Sequence, residues 1–104
     1  MIIQFNTDKT LAGERRSSDF FTSQIADALQ RFDSHITRIE VHLKDEDGKK
    51  DGFGNISCLL EARIEGRQPI AVSNQANTTG LAVTGAIDKI KTALETILGR
   101  MQKQ

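Results

Sequence analysis

The sequence predicts an α+β fold in the order β-α-β-β-β-α, a four-stranded sheet with two helices packed on one face. Two observations carry this expectation. Hydrophobic residues recur with a helical period in two separate segments and alternate with a period of two in the segments between them. The alternating segments are joined by short stretches rich in glycine and charge, the kind that connect antiparallel neighbours. A strand with one apolar face needs cover on that face alone, so both helices are expected on the same side of an antiparallel, hairpin-connected sheet.

The chain starts MIIQFNT, where Ile3 and Phe5 share one face of a short terminal strand bounded by Thr7 and Asp8. Residues 17–32 then place Phe21, Ile25, Ala28, Leu29 and Phe32 on one helical stripe, with Ser17 or Ser18 as N-cap and Asp33-Ser34 as the stop. The period changes next, as Ile39, Val41 and Leu43 alternate with Arg38, Glu40, His42 and Lys44 in a strand with one wet face. Residues 44–55, KDEDGKKDGFGN, read as a solvated hairpin loop. Ile56, Cys58, Leu60, Ala62 and Ile64 form the dry face of the following strand, and Leu59 breaks the pattern on the polar side. Glu65-Gly66-Arg67-Gln68 makes a turn. Pro69-Ile70-Ala71-Val72-Ser73 is the last strand, with proline first, where no ladder bond is lost, and residues 74–80 are a connection. From Leu81 onward Val83, Ile87, Ile90, Leu94, Ile97, Leu98 and Met101 form the stripe of a long amphipathic helix. No strand is expected after it, so a ferredoxin-like arrangement is not.

Composition bounds the function classes. The 104 residues, 38% hydrophobic and 27% charged, suit one globular domain, residues 1–104. Lys plus Arg equals Asp plus Glu at 14 each, so attraction to nucleic acid has to come from a local patch. A single cysteine forms no intramolecular disulfide and fits a reducing compartment. No basic leader precedes the first apolar segment and no apolar run is long enough to span a membrane, so a cytoplasmic protein with no membrane partner is expected.

Catalytic and metal-binding patterns are missing from the sequence. His35 and His42 stand alone, whereas a metal site needs three or four ligands, so both are expected to be structural or solvated. Cys58 falls on the dry face of its strand, where it acts as a small apolar residue. The run Asp45-Glu46-Asp47-Gly48 invites a calcium reading, but the glycine and glutamate that such a loop needs at its sixth and twelfth positions are Lys50 and Ile56. Gly52-Phe53-Gly54 is too short for a dinucleotide fingerprint, and no phosphate-binding glycine loop or nucleophile elbow occurs. The expectation is no enzyme, no cofactor, no metal and no small-molecule substrate.

The remaining chemistry is basic. On the C-terminal helix Lys89, Thr96, Arg100 and Lys103 gather at roughly 220° to 280° from Ile90, while Asp88, Lys91 and Glu95 lie at roughly 100° to 160°. Arg100 and Lys103 also oppose the negative end of the helix dipole, which accounts for them without any ligand. A solvated, dipole-complementing face and a phosphate-contacting face therefore both stay open. Lys91 completes the candidates on this helix. Arg15 and Arg16 stand just before the first helix with no partner beyond Glu14 and are further candidates. Arg38, Arg63 and Arg67 have Glu40, Glu61 and Glu65 near enough for ion pairing on the sheet.

Three stretches resemble one family in order and spacing. ALQRFDSHITRIEVHLKDEDG, EARIEGRQPIAVSNQA and AIDKIKTAL are similar to the helix-to-strand passage, the strand-turn-strand and the C-terminal helix of the ribosome hibernation promoting factor and ribosome-associated inhibitor family, in a short, single-domain form. The resemblance covers nearly the whole chain. It implies a relative of the double-stranded RNA-binding fold with an added first strand. It also implies a protein that occupies the decoding channel of the small ribosomal subunit, contacts its rRNA through basic residues, and blocks messenger and transfer RNA. Family members silence ribosomes in starvation or stationary phase, and a monomer off the ribosome is expected. After the step matched here by Asp88, Lys89 and Ile90, many members carry closely spaced arginines and lysines. Here Thr92, Glu95 and Thr96 take those places, Lys89 matches, and Arg100 and Lys103 stand nearby. Two readings follow: a ribosome-associated translation regulator, or a protein-interaction module of the same fold that has lost RNA binding.

Overall fold

The computed structural model of this chain describes residues 1–7, 15–46 and 55–102. Each alternating segment is a strand with one dry face. In β2 (Ile36–Asp45) and β3 (Ile56–Ile64) the side chains of Ile39, Val41, Leu43, Ile56, Cys58, Leu60, Ala62 and Ile64 are buried, while Arg38, Lys44, Leu59 and Arg63 face solvent. β1 (Ile2–Thr7) and β4 (Ile70–Ala76) are the two edges of a four-stranded sheet ordered β1-β2-β3-β4. β2 and β3 are antiparallel, with Val41 opposite Leu60 and Leu43 opposite Cys58; β3 and β4 are antiparallel, with Leu60 opposite Val72.

β1 departs from the all-antiparallel expectation. It runs parallel to β2, with Ile3 opposite Ile39 and Phe5 opposite Val41, so the sheet is mixed. The cause is the element between them. α1 (Arg15–Ala28) crosses the sheet and returns the chain to the end where β1 began, which only a parallel partner can use.

The first helix also differs from the expected span at both ends. It begins at Arg15, so Ser17 and Ser18 lie within the helix and neither is its N-cap. Arginine is a strong helix former, and the helix extends back through Arg15 and Arg16. At the other end the α geometry stops at Ala28, and Leu29 (φ −107°, ψ 13°) leads into a single 3-10 turn, Gln30–Phe32. There the amide of Phe32 donates to the Leu29 carbonyl at 2.9 Å and that of Asp33 to the Gln30 carbonyl at 3.1 Å. The tighter turn still delivers Leu29 and Phe32 to the core.

β4 runs on to Ala76 rather than ending at Ser73, and Pro69 precedes its first residue. α2 (Thr79–Gln102) starts before Leu81, capped by Thr78, whose Oγ1 accepts the Leu81 amide at 3.2 Å. Only Asn77 and Thr78 connect the two elements, so Asn74, expected in a connection, is a strand residue. Its Nδ2 donates to the carbonyls of Ala82 at 3.2 Å and Leu81 at 3.4 Å, tying the strand to the first turns of α2. A Cβ on Gly85 would overlap the Asn74 side-chain amide, so any larger residue there has to displace that amide from its bonds to α2. The turn between β3 and β4 contains Gly66 at φ 76°, the left-handed region. In the β2–β3 hairpin the Glu46 amide donates to the Asn55 carbonyl at 2.8 Å. Residues 47–54, which include Asp47-Gly48 and Gly52-Phe53-Gly54, lie outside the described residues.

Both helices cover the same face. Phe21, Ile25 and Leu29 on one side and Val83, Ala86, Ile90, Leu94 and Leu98 on the other join the inward strand residues in one buried cluster, with Ile97 partly buried beside it. Phe5 of β1 stacks on Phe21 with ring centroids 6.4 Å apart. Cys58 sits inside this cluster, and burial pushes its thiol up to about 12.

Two outcomes test this packing. Gly85→Ala should lower stability by about 1 to 3 kcal/mol, the usual range for overpacking, although alanine is the better helix former by about 1 kcal/mol. In an Asn74→Ala background the same substitution should cost less. Equal costs in both backgrounds, read from denaturant unfolding, would show that the two residues do not couple. Cys58 predicts a pH dependence: between about 9 and about 12 the unfolded chain has lost the thiol proton that the folded chain keeps. Its contribution to stability is therefore complete below about 9 and is lost as pH rises toward about 12. The difference between this chain and Cys58→Ala should slope by up to about 1.4 kcal/mol per pH unit in that window and be flat below it.

Candidate nucleic-acid interface

The uncovered face of the sheet neutralises its own charge. Register places Arg38 opposite Arg63 and Glu40 opposite Glu61, so like charges face each other and the ion pairs run diagonally or along a strand. Glu40 is the centre of this network. Its Oε2 lies 3.7 Å from Arg38 Nη1 and 3.8 Å from Arg63 Nε, and its Oε1 lies 3.5 Å from His42 Nε2. Arg63 Nη2 also reaches Glu61 Oε1 at 3.4 Å. Further along, Lys44 Nζ is 3.8 Å from Glu46 Oε1, and Ser57 Oγ donates to Glu46 Oε2 at 2.7 Å. The expected sheet-face pairing is thus present for Arg38 and Arg63. Arg67 is different: it lies in the exposed turn beyond the end of β3 and makes no ion pair among the described residues.

The helix side holds the nucleic-acid candidates, and the structure separates them. Lys89 is exposed on the β4 side of α2, where its Nζ donates to the Ser73 carbonyl at 2.8 Å. β4 is an edge strand, so this lysine covers one of the carbonyls that an open edge leaves without a strand partner. Lys91 lies on the opposite flank, beside Asp27, Gln30 and Arg31 in a polar groove between α1 and α2. Neither lysine forms an ion pair among the described residues. Arg100 occupies the last turn of α2, one flank with Lys89 by helical spacing, and Lys103 lies outside the described residues. Arg15 and Arg16 are in the first turn of α1 rather than before it. That turn has no acidic residue.

Arg31 was not among the sequence candidates. Its Nη2 lies 3.0 Å from Glu95 Oε2 and its guanidinium stands 4.8 Å from the centre of the Phe32 ring, so it straps the end of the first helical segment to α2. Gln24 Nε2 donates to Thr84 Oγ1 at 3.2 Å nearer the other end. These two contacts show that the helices run side by side in the same direction. No sequence signal announces either contact, because the partners are far apart in the chain.

Cys58 is buried with a raised thiol pKa, which removes the thiolate that a reactive cysteine needs. Among the described residues no group of three or more His, Cys, Asp or Glu side chains is placed to hold a metal ion, and no helix is long and apolar enough to cross a membrane.

No family model matches the sequence, and no curated protein matches it significantly. Solved structures do match the fold. The N-terminal domain of Thermus thermophilus Protein Y has a TM-score of 0.74 at 14% identity, covering 93% of this chain and 99% of that one. A ribosomal subunit interface protein from Coxiella burnetii has a TM-score of 0.72, also at 14% identity, covering 95% of this chain and 99% of that one. The mixed sheet, the crossover helix and the long C-terminal helix therefore give this chain the fold of the Protein Y N-terminal domain over nearly its whole length.

Proposed function

We propose that this chain is a non-enzymatic, cytoplasmic ribosome-associated factor that binds the small ribosomal subunit through its rRNA and inhibits translation as hibernation factors do. The observation that carries the reading is the end-to-end fold likeness to two proteins, one of them described as a ribosomal subunit interface protein. The distribution of charge supports it. Among the described residues Arg38, Lys44 and Arg63 on the sheet face are ion-paired, while Lys89 on one flank of α2 and Lys91 on the other are not; these two, with Arg15, Arg16, Arg100 and Lys103, are the cations offered to phosphate in this reading. Lys89 would exchange a neutral carbonyl for an anionic oxygen, a stronger acceptor. No cofactor, membrane or small-molecule substrate enters this mechanism, and the protein acts as a monomer off the ribosome.

A protein-interaction module of the same fold is the second reading. It is favoured by the zero net charge and by the Lys89 amine already being bonded to Ser73.

Gradient sedimentation of stationary-phase extract separates the two. A ribosomal factor travels with the small subunit at low salt and leaves it as salt rises; a protein that stays at the top of the gradient in both growing and starved cells is not one. The purified chain should also lower cell-free translation with no nucleotide or metal requirement. Replacing Lys89, Arg100 and Lys103 together with Gln should flatten the slope of log affinity against log salt by about 2 to 3 units, at about 0.7 to 0.9 per phosphate contact. Folding stability should change by little more than the dipole contributions, about 0.3 to 1 kcal/mol for each terminal cation. An unchanged slope would move the interface to Arg15 and Arg16 or support the interaction module.

A further inference from the structure

β4 closes one side of the sheet, and among the described residues no strand pairs on its outer edge. An open edge is a template for another strand, and proteins blunt such edges with charge, proline or a bulge. β4 contains none of these: its seven residues, IAVSNQA, carry no charge and no proline, and their register against β3 runs without a shift from Ile70 to Ala76.

The Ser73 carbonyl, which accepts the Lys89 amine at 2.8 Å, fixes which residues look outward. A residue in an antiparallel ladder aims its N–H and C=O to the same side, and that side alternates along the strand. Ala71, Ser73 and Gln75 therefore offer their backbone groups away from β3, while their side chains lie exposed on the open face of the sheet. On the other face Ile70, Val72 and Ala76 are half-buried, unlike the buried inward residues of β3, so apolar surface stays open along the same edge.

The outward row is self-complementary. With a two-fold axis at Ser73, an antiparallel second copy sets Ser73 opposite Ser73 and Ala71 opposite Gln75, each as a hydrogen-bonded pair, and no like-charged strand residues come together. That axis is perpendicular to the sheet, so both helix layers stay on one side and Ile70 of one copy stands opposite Ala76 of the other. Lys89 opposes this arrangement twice. It occupies the Ser73 carbonyl, and in the pair two such amines would converge near the axis, where like charges repel.

We propose that the β4 edge is a pairing site for a second copy of this chain and that Lys89 holds it closed. The pairing is independent of RNA, and its guard gives a physical cause for a monomer off the ribosome.

Sedimentation velocity of the purified full chain tests this. Lys89→Ala should form a dimer with a Kd about 5- to 150-fold below that of the unaltered chain, since two amine–carbonyl bonds no longer have to break. Lys89→Arg, which keeps the cation, should associate no more than the unaltered chain does. In the Lys89→Ala dimer the amides of Ala71, Ser73 and Gln75 should exchange with deuterium more slowly than in the monomer. Adding Ser73→Lys or Ser73→Glu to Lys89→Ala should abolish the dimer, because like charges then face each other at the axis, and mixing the two double variants should restore it. Equal self-association of Lys89→Ala and the unaltered chain overturns the proposal and leaves the edge to a strand of another kind. A dimer that survives both Ser73 substitutions, or that leaves those three amides unprotected, forms on another surface and overturns it too. Open-ended oligomers do the same, since they place β4 on a different edge of the next copy.

Discussion

The sheet has one face to hide, and the rest of the architecture depends on hiding it. Ile39, Val41 and Leu43 of β2 and Ile56, Cys58, Leu60, Ala62 and Ile64 of β3 all turn the same way, so the cover has to come from one side. α2 supplies most of it through Val83, Ile90, Leu94 and Leu98, and α1 adds Phe21, Ile25 and Leu29. A helix placed between β1 and β2 on that side forces a parallel pair. The two-residue link between β4 and α2 holds the strand close to the helix, and the Asn74 side chain lies against Gly85. The 3-10 turn after Ala28 has the same origin, since it keeps Leu29 and Phe32 pointed into the core where a continued α-helix would carry the chain away from β2.

One-sided cover also divides the charge. The exposed sheet face is a lattice of side chains at fixed strand spacing, and there Glu40 reaches two arginines and a histidine from one position. Each of these exposed pairs is worth about 0 to 1 kcal/mol, so their main consequence is to cancel the field rather than to hold the fold. Helix surfaces space their charges more widely. Lys89 and Lys91 end on opposite flanks of α2 and form no ion pair among the described residues.

At 14% identity the fold shared with the Protein Y domain is a backbone path, and its surface chemistry is this chain's own. On α2, Thr96 Oγ1 returns a hydrogen bond to the Thr92 carbonyl at 3.0 Å.

Much of this was legible from residue order alone. The faces of β2 and β3, the stripe of α2, the Gly66 turn and the inward position of Cys58 all derive from periods of two and of 3.6, because burial of one face acts between residues two to four apart. The pairing of Arg38 and Arg63 with Glu40 and Glu61 was readable for the same reason, given adjacent strands. Other features needed the third dimension. The direction of β1, the place of Asn74 against Gly85, the strap from Arg31 to Glu95 and the bond from Lys89 to Ser73 join residues distant in sequence, and no local pattern specifies which will meet. Ser17 and Ser18 misled because a good N-cap residue is also tolerated inside a helix whose start is set by how its later turns pack. Local periodicity thus determined which side of each element is dry, while the packing of those dry sides decided strand direction and helix ends.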